Sequence, residues 1–99
     1  MRYEIVLAPQ AVQDLKCLKA HSRATVRDAI ERFLRHEPTK TSRSRIKRLR
    51  GVSKPQFRLR VENVRVFYDV LERRAEILAI VSKADADIWL KKIKIPLQQ

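Results

Sequence analysis

A single cysteine, Cys17, in a chain of 99 residues excludes an internal disulfide framework and a zinc site built from several cysteines. No apolar run approaches the roughly 20 residues that a membrane-spanning helix needs. The opening "MRYEIVLAPQ" alternates polar and apolar residues and lacks the apolar stretch of a signal peptide. Acidic residues are scarce as well: 11 Asp and Glu stand against 23 Lys and Arg, a net charge of +12. From Pro38 to Val61 there is no acid at all, while nine Lys or Arg residues fill the stretch. These absences point to one soluble cytoplasmic domain over residues 1–99, with no membrane partner and no cofactor or metal. Its 44% hydrophobic residues suffice for a modest core. A charge balance of this sort self-repels and favours polyanionic partners such as nucleic acid.

Tyr3, Ile5 and Leu7 alternate with polar or outward positions, the pattern of a strand with one buried face. Pro9 suits the first turn of a helix, where its missing N–H costs nothing. Val12, Leu15 and Leu18 follow at helical spacing, predicting an amphipathic helix over Pro9 to Lys19. Ser22 and Thr25 are candidate caps of a second helix, whose apolar stripe is Val26, Ala29, Ile30, Phe33 and Leu34 and which Pro38 ends. Helices joined by so short a break form a helical hairpin. "TKTSRSR" reads as a basic loop, and "IKRLRG" is a candidate short strand ending at Gly51, the only glycine. "AEILAIVS", Ala75 to Ser82, is continuously apolar and suits a central strand covered on both faces. "KADADIWLKK" is helical, with Ser82 as N-cap and Asp85 near the favourable end of the dipole. The final "IKIPLQQ" is open between tail, strand and partner-binding segment. The expected architecture is α+β: a small antiparallel-rich sheet packed on an N-terminal helical hairpin, in the order β-α-α-β-β-β-α.

Between the basic loop and the central strand lies "FRLRVENVRVFYDV", Phe57 to Val70. With Glu62-Asn63 as a two-residue turn, Arg60 faces Arg65 and Arg58 faces Phe67, although Glu does not favour the positive φ of such turns. Phe57, Leu59, Val61, Val64, Val66 and Tyr68 then share the face that packs on the helices, and Arg58, Arg60, Arg65 and Phe67 share the other. Like charges directly opposed across a ladder cost from a few tenths to about 1 kcal/mol. An anion held between them reverses the sign, because each guanidinium offers a planar fork of donors to phosphate oxygens. Phe67 beside them offers a face on which a base can stack. His21 and His36 read as cap or surface residues, Trp89 as a packing residue under the C-terminal helix, and Cys17 as half-buried.

The segment from "LRG" (Leu49 to Gly51) through "FRLRVENVRVFYDV" to "AEILAIVSKADA" resembles the RelE/ParE superfamily of bacterial toxin–antitoxin toxins, and nearest its RelE-like branch. The family pattern there is L-x-G, a short spacer, then Y-R-L-R-V-G-x-Y-R-V-x-Y. Phe57, Arg58, Leu59, Arg60, Val61, Arg65, Val66 and Tyr68 match it or replace like with like. The resemblance implies a toxin that enters the ribosome and cuts mRNA without a metal, the ribose 2′-OH attacking to leave a cyclic phosphate. It casts Arg58 and Arg65, with Lys83, as catalytic residues. Lys47, Arg48, Arg50, Lys54, Arg60 and Phe67 are cast as the RNA-binding surface. It also implies a cognate acidic antitoxin as partner, with operator DNA contacted only through that antitoxin. The chain departs from the RelE-like pattern in two places. No tyrosine follows "SKADADIW", where the family often has one for proton transfer, and Gln56 stands near the family's sheet lysine. General acid and base are therefore unassigned among Lys47, Lys54 and Lys83. The alternatives are a ParE-like inhibitor of DNA gyrase, or a catalytically weak toxin acting only in an antitoxin complex.

Overall fold

A computed structural model describes residues 2–93 and, as backbone, residues 95–96. The N-terminal alternation forms strand β1 (Glu4–Leu7), and Pro9 opens helix α1 (Pro9–Cys17). Helix α2 (Ala20–Ala29) starts before either expected cap. The link is only Leu18 and Lys19, both extended, so the chain re-enters helix at once and Ser22 and Thr25 fall inside it. Thr25 instead donates its hydroxyl to the His21 carbonyl at 3.0 Å, the usual recourse of a hydroxyl within a helix. A π-helical turn, Ile30–Leu34, extends α2. The apolar stripe lands as the spacing predicts, with Val26, Ala29, Ile30 and Leu34 buried and Phe33 half-buried.

Five strands make the main sheet in the order β1-β6-β5-β4-β2. They are β1, β2 (Ile46–Arg48), β4 (Phe57–Val61), β5 (Val64–Leu71) and β6 (Arg74–Ser82). β1 runs parallel to β6 and the other pairs are antiparallel. The candidate strand in "IKRLRG" stops at Arg48, because Gly51, at φ 75°, turns the chain into β3 (Val52–Lys54). β3 pairs with β7 (Ile95–Pro96), so β2, β3 and β7 all add to the expected order. Part of the C-terminal segment is thus strand; Lys94 and residues 97–99 lie outside the described residues. β6 is central as expected, with Ala75, Ile77, Ala79 and Ile80 all buried. Helix α3 (Lys83–Ile93) follows it, and Ser82 caps this helix by accepting the Asp85 N–H at 3.2 Å.

The core between helices and sheet joins Ala11, Leu15, Val26 and Leu34 to Phe57, Leu59, Val66, Tyr68 and Ile77. Tyr68 is fully buried and donates its hydroxyl to the Pro38 carbonyl at 2.6 Å. Burial pushes its phenol pKa upward. Other segments of the chain attend to the sheet margins. Ser42 engages both backbone groups of Ile46 in edge strand β2: its N–H donates at 2.9 Å and its hydroxyl accepts at 3.3 Å. Tyr3, just before β1, gives its N–H to the Arg35 carbonyl at 2.6 Å and receives the Arg35 guanidinium on its own carbonyl at 3.1 Å. Beyond the end of β1, the Ile80 N–H of β6 donates to Asp14 Oδ2 of α1 at 2.9 Å. Cys17 is exposed rather than half-buried, standing on the last turn of α1 away from the core. Among the described residues no helix is long and apolar enough to cross a membrane.

Candidate functional site

The β4–β5 hairpin has the register that alternation predicts: Phe57 with Tyr68, Arg58 with Phe67, Leu59 with Val66, Arg60 with Arg65, Val61 with Val64. Glu62 takes φ 52° in the two-residue turn despite its side chain. Arg65 compensates in part, its Nη1 donating to the carbonyls of Glu62 at 2.8 Å and Val64 at 3.0 Å. Phe57, Leu59, Val61, Val66 and Tyr68 are buried against the helices, leaving Arg58, Arg60 and Arg65 together on the outer face.

No carboxylate answers these arginines: the ion pairs among the described residues involve Arg35, Lys40 and Lys54 instead. Arg65 is 7% exposed, and Arg58 is half-buried with its Nε enclosed and without any hydrogen-bond partner. Burial, reinforced by the charge of Arg60, lowers the pKa of Arg58. Burial followed by the charges of Arg58 and Arg60 does the same for Arg65. Both remain cations at any cellular pH. Three guanidiniums thus lie within Coulomb reach of one another, two of them partly desolvated, an arrangement whose mutual repulsion an oxyanion would relieve.

The other expected site residues scatter. Lys47 lies opposite Arg58 in the β2–β4 register and so joins the outer face. Arg48 places its guanidinium 5.1 Å from the centre of the Phe57 ring, on the helix side of the sheet. Arg50 is exposed in the turn before β3. Lys54 sits 3.8 Å from Asp69, toward the opposite end of the outer face. Lys83 opens α3, its N–H donating to the Asn63 carbonyl at 2.7 Å; the charges acting on Arg65 are those of Arg58 and Arg60. Phe67 is a correction. It is 2% exposed beneath Trp89, the rings 4.7 Å apart and inclined by 22°, so no base reaches its face. The reason is α3, which crosses the outer face and uses Trp89, a packing residue as expected, to cover it.

One device escaped the sequence reading. Asp69 Oδ1 accepts the Gln56 N–H at 2.7 Å, while Gln56 Oε1 accepts the Val70 N–H at 2.8 Å. This reciprocal clamp fixes the entry to β4 two residues before Arg58. Burial raises the Asp69 pKa, opposed by the Gln56 hydrogen bond and by Lys54. Extending the hairpin register by one pair, to Gln56 opposite Asp69, was the available signal.

Residues 5–86 match the family described as ParE toxin of type II toxin-antitoxin system, parDE. No curated protein sequence matches the chain. The fold is similar to that in the RelB-RelE antitoxin-toxin complex of Methanococcus jannaschii, with 20% identity, TM-score 0.66, and coverage of 85% of this chain and 96% of that one. It is similar to the archaeal RelE-RelB complex of Pyrococcus horikoshii OT3, with 24% identity, TM-score 0.63 and coverage of 84% and 97%. A mutant E. coli toxin RelE in the free state gives 16% identity, TM-score 0.68 and coverage of 94% and 99%. At such identities the likeness speaks for the fold alone.

Proposed function

Because the chain belongs to the ParE toxin family of type II toxin–antitoxin systems, within the RelE/ParE superfamily, we propose that this toxin acts as a ribosome-dependent mRNA endoribonuclease. The observation that supports the reading is the arginine cluster without a counter-anion on the outer face, with Arg58 and Arg65 partly desolvated. Cations held together in this way are stabilised by an incoming phosphate, which offers each guanidinium paired acceptors. In this reading the scissile phosphate occupies the cluster. The ribose 2′-oxygen attacks phosphorus, the bond to the 5′-oxygen breaks, and a 2′,3′-cyclic phosphate and a 5′-hydroxyl result. The 2′-OH gives up one proton and the leaving 5′-oxygen gains one. Arg58 and Arg65 stabilise the charge that builds on the non-bridging oxygens, a contribution on the order of 10²–10³ in rate for each well-aimed donor. Of the lysines with a proton to exchange, Lys47 is the one that the register places beside Arg58. Arg60, Arg50, Lys54 and Lys83 hold RNA backbone more peripherally, while Arg48, on the helix side of the sheet, stands apart from this surface.

A net charge of +12 suits a binder of ribosomal RNA, with an affinity that falls steeply as salt rises. It equally suits an acidic antitoxin; two of the structures of similar fold were solved as RelE complexes with RelB. A second reading, inhibition of DNA gyrase, is favoured by the ParE description of the matching family and by Trp89 where a tyrosine is common. The test is a cell-free translation reaction with message cleavage mapped by primer extension, with and without ribosomes. Ribosome-dependent cuts that vanish in Arg58→Gln, with its melting curve intact, support the nuclease. Intact message together with blocked gyrase supercoiling overturns it in favour of the second reading.

A further inference from the structure

Gln56 ties three strands together one residue before β4 begins. Its carbonyl accepts the Leu49 N–H at 2.9 Å, just beyond β2. Its N–H and its side chain both go to β5, the first donating to Asp69 Oδ1 at 2.7 Å and the second accepting the Val70 N–H at 2.8 Å. By strand alternation Gln56 shares its face with Arg58, the next outward side chain, which Lys47 and Phe67 flank in the register. Clamp and arginine thus stand in adjacent rows of one face.

Keeping β4 in the sheet does not require this clamp. Phe57, between Gln56 and Arg58, is buried and stacked on Tyr68 with ring centres 5.5 Å apart, and the Arg60 N–H reaches the Arg45 carbonyl at 2.8 Å. The clamp also carries a cost. The Asp69 side chain is 16% exposed, Glu76 lies opposite it on β6, and Lys54 approaches only to 3.8 Å. Burial raises the Asp69 pKa, so its charged form works against folding. A locally unfavourable group kept beside a candidate site points to a task other than stability.

From this geometry we infer that Gln56 and Asp69 are positioning residues, which aim Arg58 at a bound phosphate by fixing the entry to its strand. The inference rests on the phosphate reading of the arginine cluster and adds how its half-buried member is held in place. Packing of Phe57 sets the depth of β4 in the sheet but leaves its entry free to twist. A twist there swings the long side chain of Arg58, so a small backbone change becomes a large one at the guanidinium. Clamping the entry to β2 on one side and β5 on the other removes that freedom before a ligand arrives.

Asp69→Ala and Gln56→Met each break the clamp, and Asp69→Asn keeps an acceptor for the Gln56 N–H. Asp14→Ala, on α1, is the control, since it removes a carboxylate that serves a different strand N–H, that of Ile80. Melting curves first show which variants are folded at the assay temperature. Each is then titrated with inorganic phosphate, followed by thermal shift, and assayed for kcat and KM in ribosome-dependent message cleavage. The two clamp-breaking variants need about tenfold more phosphate for equal stabilisation. They also lose about tenfold in kcat, within the ~10² that a 1 Å misplacement can cost. KM holds within about twofold, because the interaction lost belongs to the transition state. The double variant falls no further than either single one, as two halves of one device should. Asp69→Asn and Asp14→Ala behave as wild type. A folded clamp-breaking variant with wild-type phosphate affinity and kcat overturns the inference and leaves the nuclease reading standing. So does an equal loss in Asp14→Ala, or no recovery in Asp69→Asn. If the wild type cleaves no message, the nuclease reading falls and the phosphate titrations decide: a loss that Asp69→Asn restores upholds the positioning role, and unchanged affinity overturns it. A wild type that phosphate does not stabilise overturns both.

Discussion

Replacing Arg60 by Gln separates what the arginine cluster does for folding from what it does for function. Arg60 faces Arg65 directly, is exposed, and its guanidinium makes no hydrogen bond or ion pair among the described residues. Its removal therefore forfeits no contact and relieves one like-charge opposition, worth from a few tenths to about 1 kcal/mol. Solvent screening of an exposed charge places the gain near the lower half of that range, about 0.5 kcal/mol. In a chain of this size 1 kcal/mol moves Tm by roughly 4–8 °C, so Arg60→Gln should melt about 2–4 °C above the wild type in low salt. In 1 M salt, where the screening length shrinks to about 3 Å, the difference should fall within error. Inorganic phosphate should reverse the ranking by stabilising the wild type more, since the variant has lost one fork of donors. Differential scanning fluorimetry at two salt concentrations, with and without phosphate, reads all of this. A variant that melts at or below the wild type in low salt would refute the claim that the arginines repel one another in the free protein.

Arg65→Gln should behave oppositely, losing about 1 kcal/mol or more in urea titrations because two hydrogen bonds to the turn carbonyls disappear. Tyr68→Phe orphans the Pro38 carbonyl in the core and should cost about 1–3 kcal/mol by the same measurement. Asp69 carries a pKa that burial raises, so its share of stability is fully present below the unfolded carboxylate pKa and is lost as pH rises through the folded value. Asp69→Asn, which keeps an acceptor for the Gln56 N–H, should therefore gain on the wild type as pH climbs from about 4 through that raised value and then hold level; a flat difference across the range would refute this assignment. Asp14→Ala leaves the Ile80 N–H without its acceptor, and amide exchange at Ile80 should accelerate relative to its strand neighbours.

The hairpin was legible because period-two alternation and a two-residue turn leave one register that buries all its apolar residues. The central strand was legible for a similar reason: an uninterrupted apolar run has to be covered twice. The start of α2 was not, because Ser22 and Thr25 are good caps anywhere, and only the extended geometry of Leu18 and Lys19 shows that neither is used. β3 and β7 are three and two residues long, too short for periodicity to register, and they exist through pairing with each other. Within the site, the three arginines followed from local alternation. The fate of Phe67 did not, since it depends on where a later helix lays Trp89, 22 residues downstream. Residues on the basic run looked alike in sequence, yet strand parity sends Lys47 outward and Arg48 to the side of Phe57.

Ser42 on the backbone of Ile46 and Arg35 on that of Tyr3 also bear on how copies of this protein meet in a crowded cell. A fibril or a swapped dimer grows by offering each arriving strand a row of free donors and acceptors. At the β2 margin Ser42 occupies both outward groups of Ile46, and just before β1 Arg35 occupies those of Tyr3. At those points a crowded molecule offers an arriving strand fewer free donors and acceptors.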